Sequence, residues 1–160
     1  CLYCGLMITA QGPKVVEFNC RFGDPETQVV LPLMKGDMLK LFYSAAAGKI
    51  DKDAVAYSGG SAVCVVAASG GYPGEFKKGY EITGLSEKLP LGGIIYHSGT
   101  KKDDNKIVTN GGRVLGITAI TEDNNIPGCK EKAYNILKKI SFADMHFRRD
   151  ISDKALKYLE

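Results

Sequence analysis

The segment that decides the first part of the fold reads Lys14-Val15-Val16-Glu17-Phe18-Asn19-Cys20-Arg21-Phe22-Gly23-Asp24-Pro25-Glu26-Thr27-Gln28. Apolar and polar residues alternate over residues 15–20, which is typical of a β-strand. The Asp24-Pro25-Glu26 triplet then predicts the start of a helix, with Asp24 as the N-cap and Pro25 at the first helical position. Pro32 should end this helix early, because proline lacks the backbone N–H that a helix interior needs.

The flanking sequence predicts one more strand and one more helix. Residues 2–9 are apolar and are followed by Gln11-Gly12-Pro13, so we expect a strand and a turn before the strand at residues 15–20. A second helix is predicted to begin at Asp37, with Gly48 as its C-cap. The first part of the chain is therefore expected to run strand, turn, strand, helix, helix.

From about residue 55 the pattern changes to short apolar runs that glycines separate. The predicted strands cover residues 61–68, 80–85, 93–97, 106–109 and 113–120. Asn110-Gly111-Gly112 has the chemistry of a hairpin turn and should join the last two of them. An amphipathic helix over residues 129–140, a short strand around residues 146–148 and a helix capped by Ser152 are predicted to follow. Strands followed by helices predict an α+β fold with an antiparallel sheet, and we expect a boundary near residue 50.

Composition excludes several classes of protein. The 160 residues are 44% apolar and 24% charged, with a net charge of +3, which are ordinary values for a globular protein. The excess of positive charge is too small to predict a nucleic-acid partner. The longest unbroken apolar run, residues 62–68, is far shorter than the ~20 residues that span a bilayer, so no membrane partner is expected. The chain opens on an apolar segment without an initiator methionine, which we interpret as a fragment that begins inside a strand.

The cysteines indicate a reducing compartment. Five cysteines are an odd number and lie scattered along the chain, whereas a disulfide framework favours an even, dense set. The Cys1-x-x-Cys4 pair has neither a second pair nor a histidine nearby to complete a zinc site. We therefore expect structural cysteines and a cytoplasmic protein.

Strand alternation puts three polar side chains on one face of the strand at residues 15–20, and these are Glu17, Asn19 and Arg21. The other face should hold the apolar side chains of Val16, Phe18 and Cys20 and pack in the core. Glu17 and Asn19 are about 6.6 Å apart along an extended strand, so their oxygens can converge on a hard cation. Alternation alone equally describes an exposed strand face with a Glu–Arg pair, and by itself favours that interpretation.

The segment at residues 14–28 resembles the signature of phosphoribosylamine–glycine ligase (glycinamide ribonucleotide synthetase), an ATP-grasp enzyme of purine synthesis. The similarity continues through residues 5–7, 67–74, 78–84, 111–115 and 148–151. The order of these blocks matches the C-terminal part of that enzyme. The resemblance implies that residues 1–50 are the last strands and helices of an ATP-grasp domain. Residues 51–160 would form a small C-terminal α+β domain with an antiparallel sheet and helices.

The resemblance also implies a reaction. ATP would phosphorylate the carboxylate of glycine to glycyl phosphate, which the amine of 5-phosphoribosylamine would attack to give glycinamide ribonucleotide, ADP and phosphate. In that family the residues matching Glu17 and Asn19 hold the Mg²⁺ (or Mn²⁺) ions bound to ATP. A further acidic ligand and the adenine-binding residues belong to N-terminal and ATP-grasp segments that this sequence does not contain. The fragment alone is therefore expected to be inactive.

Two arginines are candidates for contacts with substrate. Arg21 follows the expected metal ligands on the same face and could hold the glycine carboxylate or the transferring phosphoryl group; it could equally form a salt bridge to Asp24 or Glu26. Asp24, Pro25 and Glu26 are predicted to cap a helix and, by the resemblance, to border the substrate pocket. Arg113 could bind the 5-phosphate of phosphoribosylamine, or it could simply follow a hairpin turn as an exposed side chain.

Two other functions remain open. A different ATP-grasp carboxylate–amine ligase or carboxylase would share the fold and the metal ligands, but the long signature at residues 21–28 and the C-terminal blocks argue against it. A non-catalytic docking module could retain the fold, and altered metal positions would support that function. Glu17 and Asn19 are both present, which argues against it.

Overall fold

A computed structural model describes residues 1–157. It has nine strands and four α-helices in this range: β1 Tyr3–Thr9, β2 Gly12–Asn19, α1 Thr27–Val30, β3 Met34–Gly36, α2 Met38–Ala46, β4 Val55–Tyr57, β5 Ser61–Ala68, β6 Gly93–His97, β7 Thr100–Asp103, β8 Lys106–Thr109, β9 Arg113–Thr121, α3 Ile126–Leu137 and α4 Asp153–Leu156. All strand pairs are antiparallel. The α+β fold with small antiparallel sheets is therefore confirmed. None of the helices in this range is both long and apolar enough to cross a membrane.

The predicted first hairpin is present, but it lies apart from the core. β1 and β2 pair with each other, with Gly5 opposite Glu17 and an irregularity in the register just after that pair. The expectation that Val16, Phe18 and Cys20 form a core face is wrong for the described residues, because Val16 is 65% and Phe18 63% exposed. The hydrophobic core is built from residues 63–142 and includes no residue of the hairpin.

The first helix begins later than predicted. Glu26, not Asp24, is the N-cap residue of α1, and its side chain makes no capping hydrogen bond. The Asp24 carboxylate instead accepts a hydrogen bond from the Gln28 side chain at 2.8 Å, while the backbone N–H of Thr27 bonds to the carbonyl of Gly23. The Asp24–Pro25 peptide bond is cis. Pro32 lies in a 3₁₀ turn directly after α1, so the early end of the helix is confirmed.

The second helix agrees with its predicted cap. The Asp37 side chain accepts a hydrogen bond from the backbone N–H of Lys40 at 2.9 Å. At the other end the C-cap residue is Ala47, and Gly48, which was predicted as the C-cap, follows it with φ +77°. On either side of α2, β3 and β4 pair to form a small sheet. The division into residues 1–50 and 51–160 stays a prediction.

The centre of the molecule is a three-stranded sheet in the order β5-β9-β6, packed on α3. One face of this sheet presents Val65, Ile117 and Leu115 to the helix, where they are almost fully buried. Neighbouring positions in the strands alternate, so Cys64 and Gly116 belong to the opposite face. Arg113 joins this second face because the register shifts between Ala67 and Ala68, which puts Arg113 opposite Ala68. Helix α1 contacts β5 and β9 and packs on this second face.

Three other local predictions differ from the structure. The glycines at residues 111–112 do not form a hairpin turn, because β8 pairs with β7 whereas β9 pairs with β5 and β6. Residues 80–85 form no strand; Glu81 and Thr83 make isolated bridges to Val108 and Ser141. Near residue 146 there is likewise only an isolated bridge, to Ala68. Helix α4 follows Ser152 as predicted, but the Ser152 side chain makes no capping bond.

Gly84 supports a prediction about stability. Gly84 and Gly79 have nearly equal backbone angles, φ +83° and φ +87°. A Cβ at Gly84 would lie 1.9 Å from the carbonyl oxygen of Lys139, whereas a Cβ at Gly79 would meet nothing within 4 Å. We expect Gly84→Ala to destabilise the fold by about 1–3 kcal/mol more than Gly79→Ala, since only Gly84→Ala adds a clash to the shared backbone strain. Thermal unfolding of the two variants measures the difference, and equal midpoints would contradict it.

Candidate active site

The polar face of β2 carries two side chains with oxygen atoms, and the facing strand β1 has a glycine beside them. Glu17 and Asn19 are two residues apart in one strand and therefore share a face, as predicted. Their partners on β1 are Gly5 and Tyr3. A Cβ at Gly5 would lie 3.1 Å from Cγ of Glu17, so the Glu17 side chain crosses the space that the glycine leaves. A larger residue at position 5 would displace this carboxylate.

A second carboxylate approaches the same face. Desolvation raises the pKa of Tyr3, and the nearby carboxylates of Glu26 and Glu17 raise it further. Glu26 reaches this position because it folds back over Gly23, where a Cβ would lie 2.3 Å from its Oε2 atom. The turn before α1 thus brings Glu26 to the side of the hairpin that holds Glu17.

The residues of β2 fit a hard divalent cation. A carboxylate and an amide oxygen are ligands that Mg²⁺ and Mn²⁺ accept, and Mg²⁺ commonly takes only one or two ligands from the protein. Residues 1–157 contain no cluster of three or more His, Cys, Asp or Glu side chains that could hold a metal ion. Within this range, Glu17 and Asn19 are the candidate ligands, and a complete site would need oxygens from elsewhere.

Arg21 is exposed beyond the end of β2. Its NH1 group donates a hydrogen bond to the backbone carbonyl of Phe22 at 3.0 Å. Among the described residues no carboxylate lies within ion-pair distance of Arg21, so the alternative salt bridge to Asp24 or Glu26 is not formed. Its positive charge is therefore not neutralised by an ion pair within the described part of the chain.

Arg113 connects two distant parts of the chain. Its Nε group donates a hydrogen bond to the hydroxyl of Tyr72 at 3.2 Å, and its NH1 group donates to the backbone carbonyl of Asp24. The same NH1 nitrogen is 3.6 Å from the Asp24 carboxylate. Burial acts to lower the pKa of Arg113, but the bond to Tyr72 and the charges of Asp24 and Glu26 outweigh it, so the pKa lies above its usual value. Arg113 is thus a fixed cation, not an exposed residue after a hairpin.

A cavity of about 370 Å³ opens beside Arg113, on the second face of the central sheet. Its polar lining includes Tyr72, Arg113, His146 and Arg148, and Pro25 borders it from the turn before α1. The Cys64 thiol also lines it, and burial raises the pKa of that thiol, which keeps it neutral. Of the residues predicted to contact substrate, Pro25 and Arg113 line this cavity, and Asp24 contacts Arg113 without lining it. Glu26 lines a second, smaller cavity together with Pro25.

Two residues of this cavity were not identified from the sequence. Tyr72 lies in the glycine-rich loop at residues 69–74, and His146 is an exposed residue that forms the isolated bridge to Ala68. Tyr72 could have been found from the resemblance, because its loop is one of the matching blocks. A larger cavity of about 630 Å³ lies between α3 and residues 84–90, and none of the predicted site residues lines it.

Two family profiles match the chain. The profile described as "Phosphoribosylglycinamide synthetase, C domain" matches residues 62–154, which is more than half of the sequence. The chain belongs to the phosphoribosylglycinamide synthetase family. The profile described as "Phosphoribosylglycinamide synthetase, ATP-grasp (A) domain" matches residues 1–27. The resemblance seen in the sequence is confirmed.

Named relatives of this family agree over nearly the whole chain. Phosphoribosylamine–glycine ligase of Caldanaerobacter subterraneus is 50% identical over 94% of this chain and 35% of its own length. The trifunctional purine biosynthetic protein adenosine-3 of Gallus gallus is 47% identical over 99% of this chain and 16% of its own length. The chain thus spans about a third of the bacterial relative and a smaller share of the multifunctional one.

A solved structure from the same family has the same fold. The crystal structure of phosphoribosylamine–glycine ligase from Thermotoga maritima superposes with a TM-score of 0.75 at 38% identity, covering 93% of this chain and 36% of that one. The segment matched by the ATP-grasp domain profile contains Glu17, Asn19 and Asp24. The segment matched by the C domain profile contains Arg113. The contact between Asp24 and Arg113 therefore joins the two matched segments.

Proposed function

We propose that this chain is the C-terminal part of an ATP-grasp ligase that joins glycine to 5-phosphoribosylamine and forms glycinamide ribonucleotide, ADP and phosphate. The observation that supports this most is the shared face of Glu17 and Asn19 above Gly5, in the segment matched by the ATP-grasp domain. The two bacterial relatives are about three times as long as this chain, so the N-terminal and ATP-grasp segments would complete the site. Residues 1–50 would end the ATP-grasp domain, and residues 51–160 would form the C-terminal domain.

Each proposed site residue has a separate task. Glu17 and Asn19 would hold Mg²⁺ or Mn²⁺, which when bound neutralises the charge on the phosphate oxygens of ATP. Arg21, with its uncompensated charge, would hold the glycine carboxylate or steady the transferring phosphoryl group. The attacking nitrogen is that of phosphoribosylamine, so these side chains position and neutralise the reactants and form no covalent intermediate.

The second substrate would occupy the cavity beside Arg113. Arg113 would bind its 5-phosphate, and Pro25, which lines the same cavity, would border the substrate. Asp24, which contacts Arg113, and Glu26, which lines a smaller cavity with Pro25, would complete this border. We place the enzyme in the cytoplasm, since all five cysteines are free in the structure and unpaired thiols are typical of a reducing compartment.

The proposal is tested on the full-length protein that contains this chain. We expect ADP formation that requires both glycine and phosphoribosylamine, with a product of the mass of glycinamide ribonucleotide. ADP formation with a different carboxylate and amine would instead identify another ATP-grasp ligase. ATP that is not hydrolysed under any such condition would favour a non-catalytic docking module.

A further inference from the structure

The ring of Tyr72 is clamped between two parts of the fold. A Cβ at Gly112 would lie 2.1 Å from the Tyr72 ring, so the ring occupies the space that this glycine leaves. Phe76 also packs edge-on against this ring, with ring centroids 6.3 Å apart. The hydroxyl of Tyr72 is consequently held at a fixed place at the rim of the cavity that Arg113 lines.

The loop that carries Tyr72 is also fastened by hydrogen bonds. The backbone N–H of buried Ser69 donates to the carbonyl of Gly112 at 2.8 Å, and its hydroxyl donates to the carbonyl of Gly111 at the same distance. The backbone N–H of Tyr72 in turn donates to the carbonyl of Ser69 at 3.1 Å. The loop at residues 69–74 and the start of β9 therefore form one rigid unit.

Two contacts fix the plane of the Arg113 guanidinium. Its Nε donor is taken by the hydroxyl of Tyr72 and one NH1 donor by the carbonyl of Asp24. A guanidinium group has five N–H donors in a rigid plane, so three donors are left. Two anchored donors determine where the other three point, and Tyr72 supplies one of the two anchors.

The two arginines that line the cavity differ in how tightly a carboxylate holds them. Arg148 is paired with Asp150 through two hydrogen bonds, of 2.9 and 2.6 Å. Arg113 forms only a longer ion pair, with 3.6 Å between its NH1 nitrogen and the Asp24 carboxylate. Apolar side chains of Val66, Ala68 and Phe147 complete the lining and lower the local polarity, which strengthens a charge-assisted contact.

We propose that Tyr72 is a positioning residue, whose hydroxyl orients the guanidinium of Arg113 toward the phosphate monoester of the sugar-phosphate substrate in this cavity. The inference rests on the proposed function, which supplies the phosphorylated substrate. Tyr72 itself acts through Arg113 and does not contact the phosphate. Without the hydrogen bond to Tyr72, the Arg113 guanidinium would keep its charge and its bond to the Asp24 carbonyl. The orientation of its plane would no longer be fixed.

The test removes the hydroxyl alone. In the full-length enzyme, Tyr72→Phe should raise the KM for phosphoribosylamine about 3–10-fold, which corresponds to one hydrogen bond of ordinary strength, and leave kcat and the KM values for glycine and ATP unchanged. The matched control is Tyr57→Phe, since the hydroxyl of exposed Tyr57 also makes one hydrogen bond, to the carbonyl of Gly60 at 2.7 Å. Equal KM values for the two variants would overturn the inference.

A double variant separates positioning from a structural effect. If Tyr72 acts through Arg113, adding Tyr72→Phe to Arg113→Ala should cause no further rise in the KM for phosphoribosylamine. The same rise in both backgrounds would show that Tyr72 acts independently and would overturn the proposal.

A binding measurement distinguishes this inference from the proposed function. Calorimetric titration with ribose 5-phosphate probes the phosphate contact without turnover, and we expect binding about 3–10-fold weaker in Tyr72→Phe. Failure of the unsubstituted enzyme to bind ribose 5-phosphate would overturn the inference. An enzyme that binds it through Tyr72 and Arg113 but does not ligate glycine would support the phosphate site and contradict the proposed function.

Discussion

Replacing Glu17 with alanine in the full-length enzyme is expected to lower kcat by about 100-fold or more while the protein stays folded. Glu17 is exposed on β2, outside the core formed by residues 63–142, so its loss removes little packing. Its side chain lies over Gly5 and shares a face of β2 with Asn19, where a divalent cation would bind. Loss of one charged ligand weakens the neutralisation of phosphate charge, on which phosphoryl transfer chiefly depends.

The measurement is kcat as a function of magnesium and of manganese concentration, together with the thermal midpoint. The concentration of metal at half-maximal rate should rise in Glu17→Ala. A control is Glu122→Ala, which removes an exposed carboxylate of the same charge from the turn between β9 and α3 and should change neither quantity. A near-normal rate for Glu17→Ala at saturating magnesium would rule out the metal role.

Local signals in the sequence were sufficient for the elements that local chemistry determines. The first hairpin, the Asp37 cap of α2 and the central strands β5 and β9 all follow from periodicity and capping within a few residues. Strand β7 was not predicted, because its residues Thr100–Asp103 are polar and give no apolar alternation. It pairs with β8 in a hairpin whose turn is Asp104-Asn105, with Asp104 at φ +50°, and this turn was not identified from the sequence.

The glycines at residues 111–112 show why the turn signal misled. A Cβ at Gly111 would come 2.9 Å from Cα of Gly99, and one at Gly112 would strike the Tyr72 ring. These glycines allow close approach of a second backbone segment and of an aromatic ring, where a hairpin would use them for positive φ. A sequence pattern alone does not distinguish the two uses. Asp24 is similar, because its side chain bonds to Gln28 where a cap would bond to the backbone.

The candidate site also has one part that the sequence predicts and one part that only the fold reveals. That Glu17 and Asn19 share a face follows from the two-residue period of a strand, and their assignment as metal ligands stays a prediction. The contacts of Arg113 with Tyr72 and with Asp24 join residues 41 and 89 positions apart in the chain. Only folding brings those residues together, and so the sequence could nominate Arg113 but not its partners.

Arg113→Ala should raise the KM for phosphoribosylamine on the order of 100-fold, with much smaller changes in the KM values for glycine and ATP. The reason is that Arg113 would contribute several charge-assisted hydrogen bonds to a single phosphate, in a cavity with a largely apolar lining. The variant also loses the bond between NH1 and the Asp24 carbonyl, so a modest fall in the thermal midpoint should accompany the change in KM. Initial rates with each substrate varied in turn give the three KM values.

Two further variants make the Arg113 result specific. Arg113→Lys keeps the charge but cannot reproduce the planar fork, so it should restore only part of the affinity for phosphoribosylamine. Arg149→Ala removes an exposed guanidinium that lies over the Phe147 ring, outside the cavity beside Arg113, and should leave all three KM values unchanged. An equal rise in the three KM values of Arg113→Ala would mean that this arginine only ties the turn before α1 to the central sheet. The 5-phosphate would then have to be bound by residues other than Arg113. Arg148, the second arginine of the cavity, is already paired with Asp150.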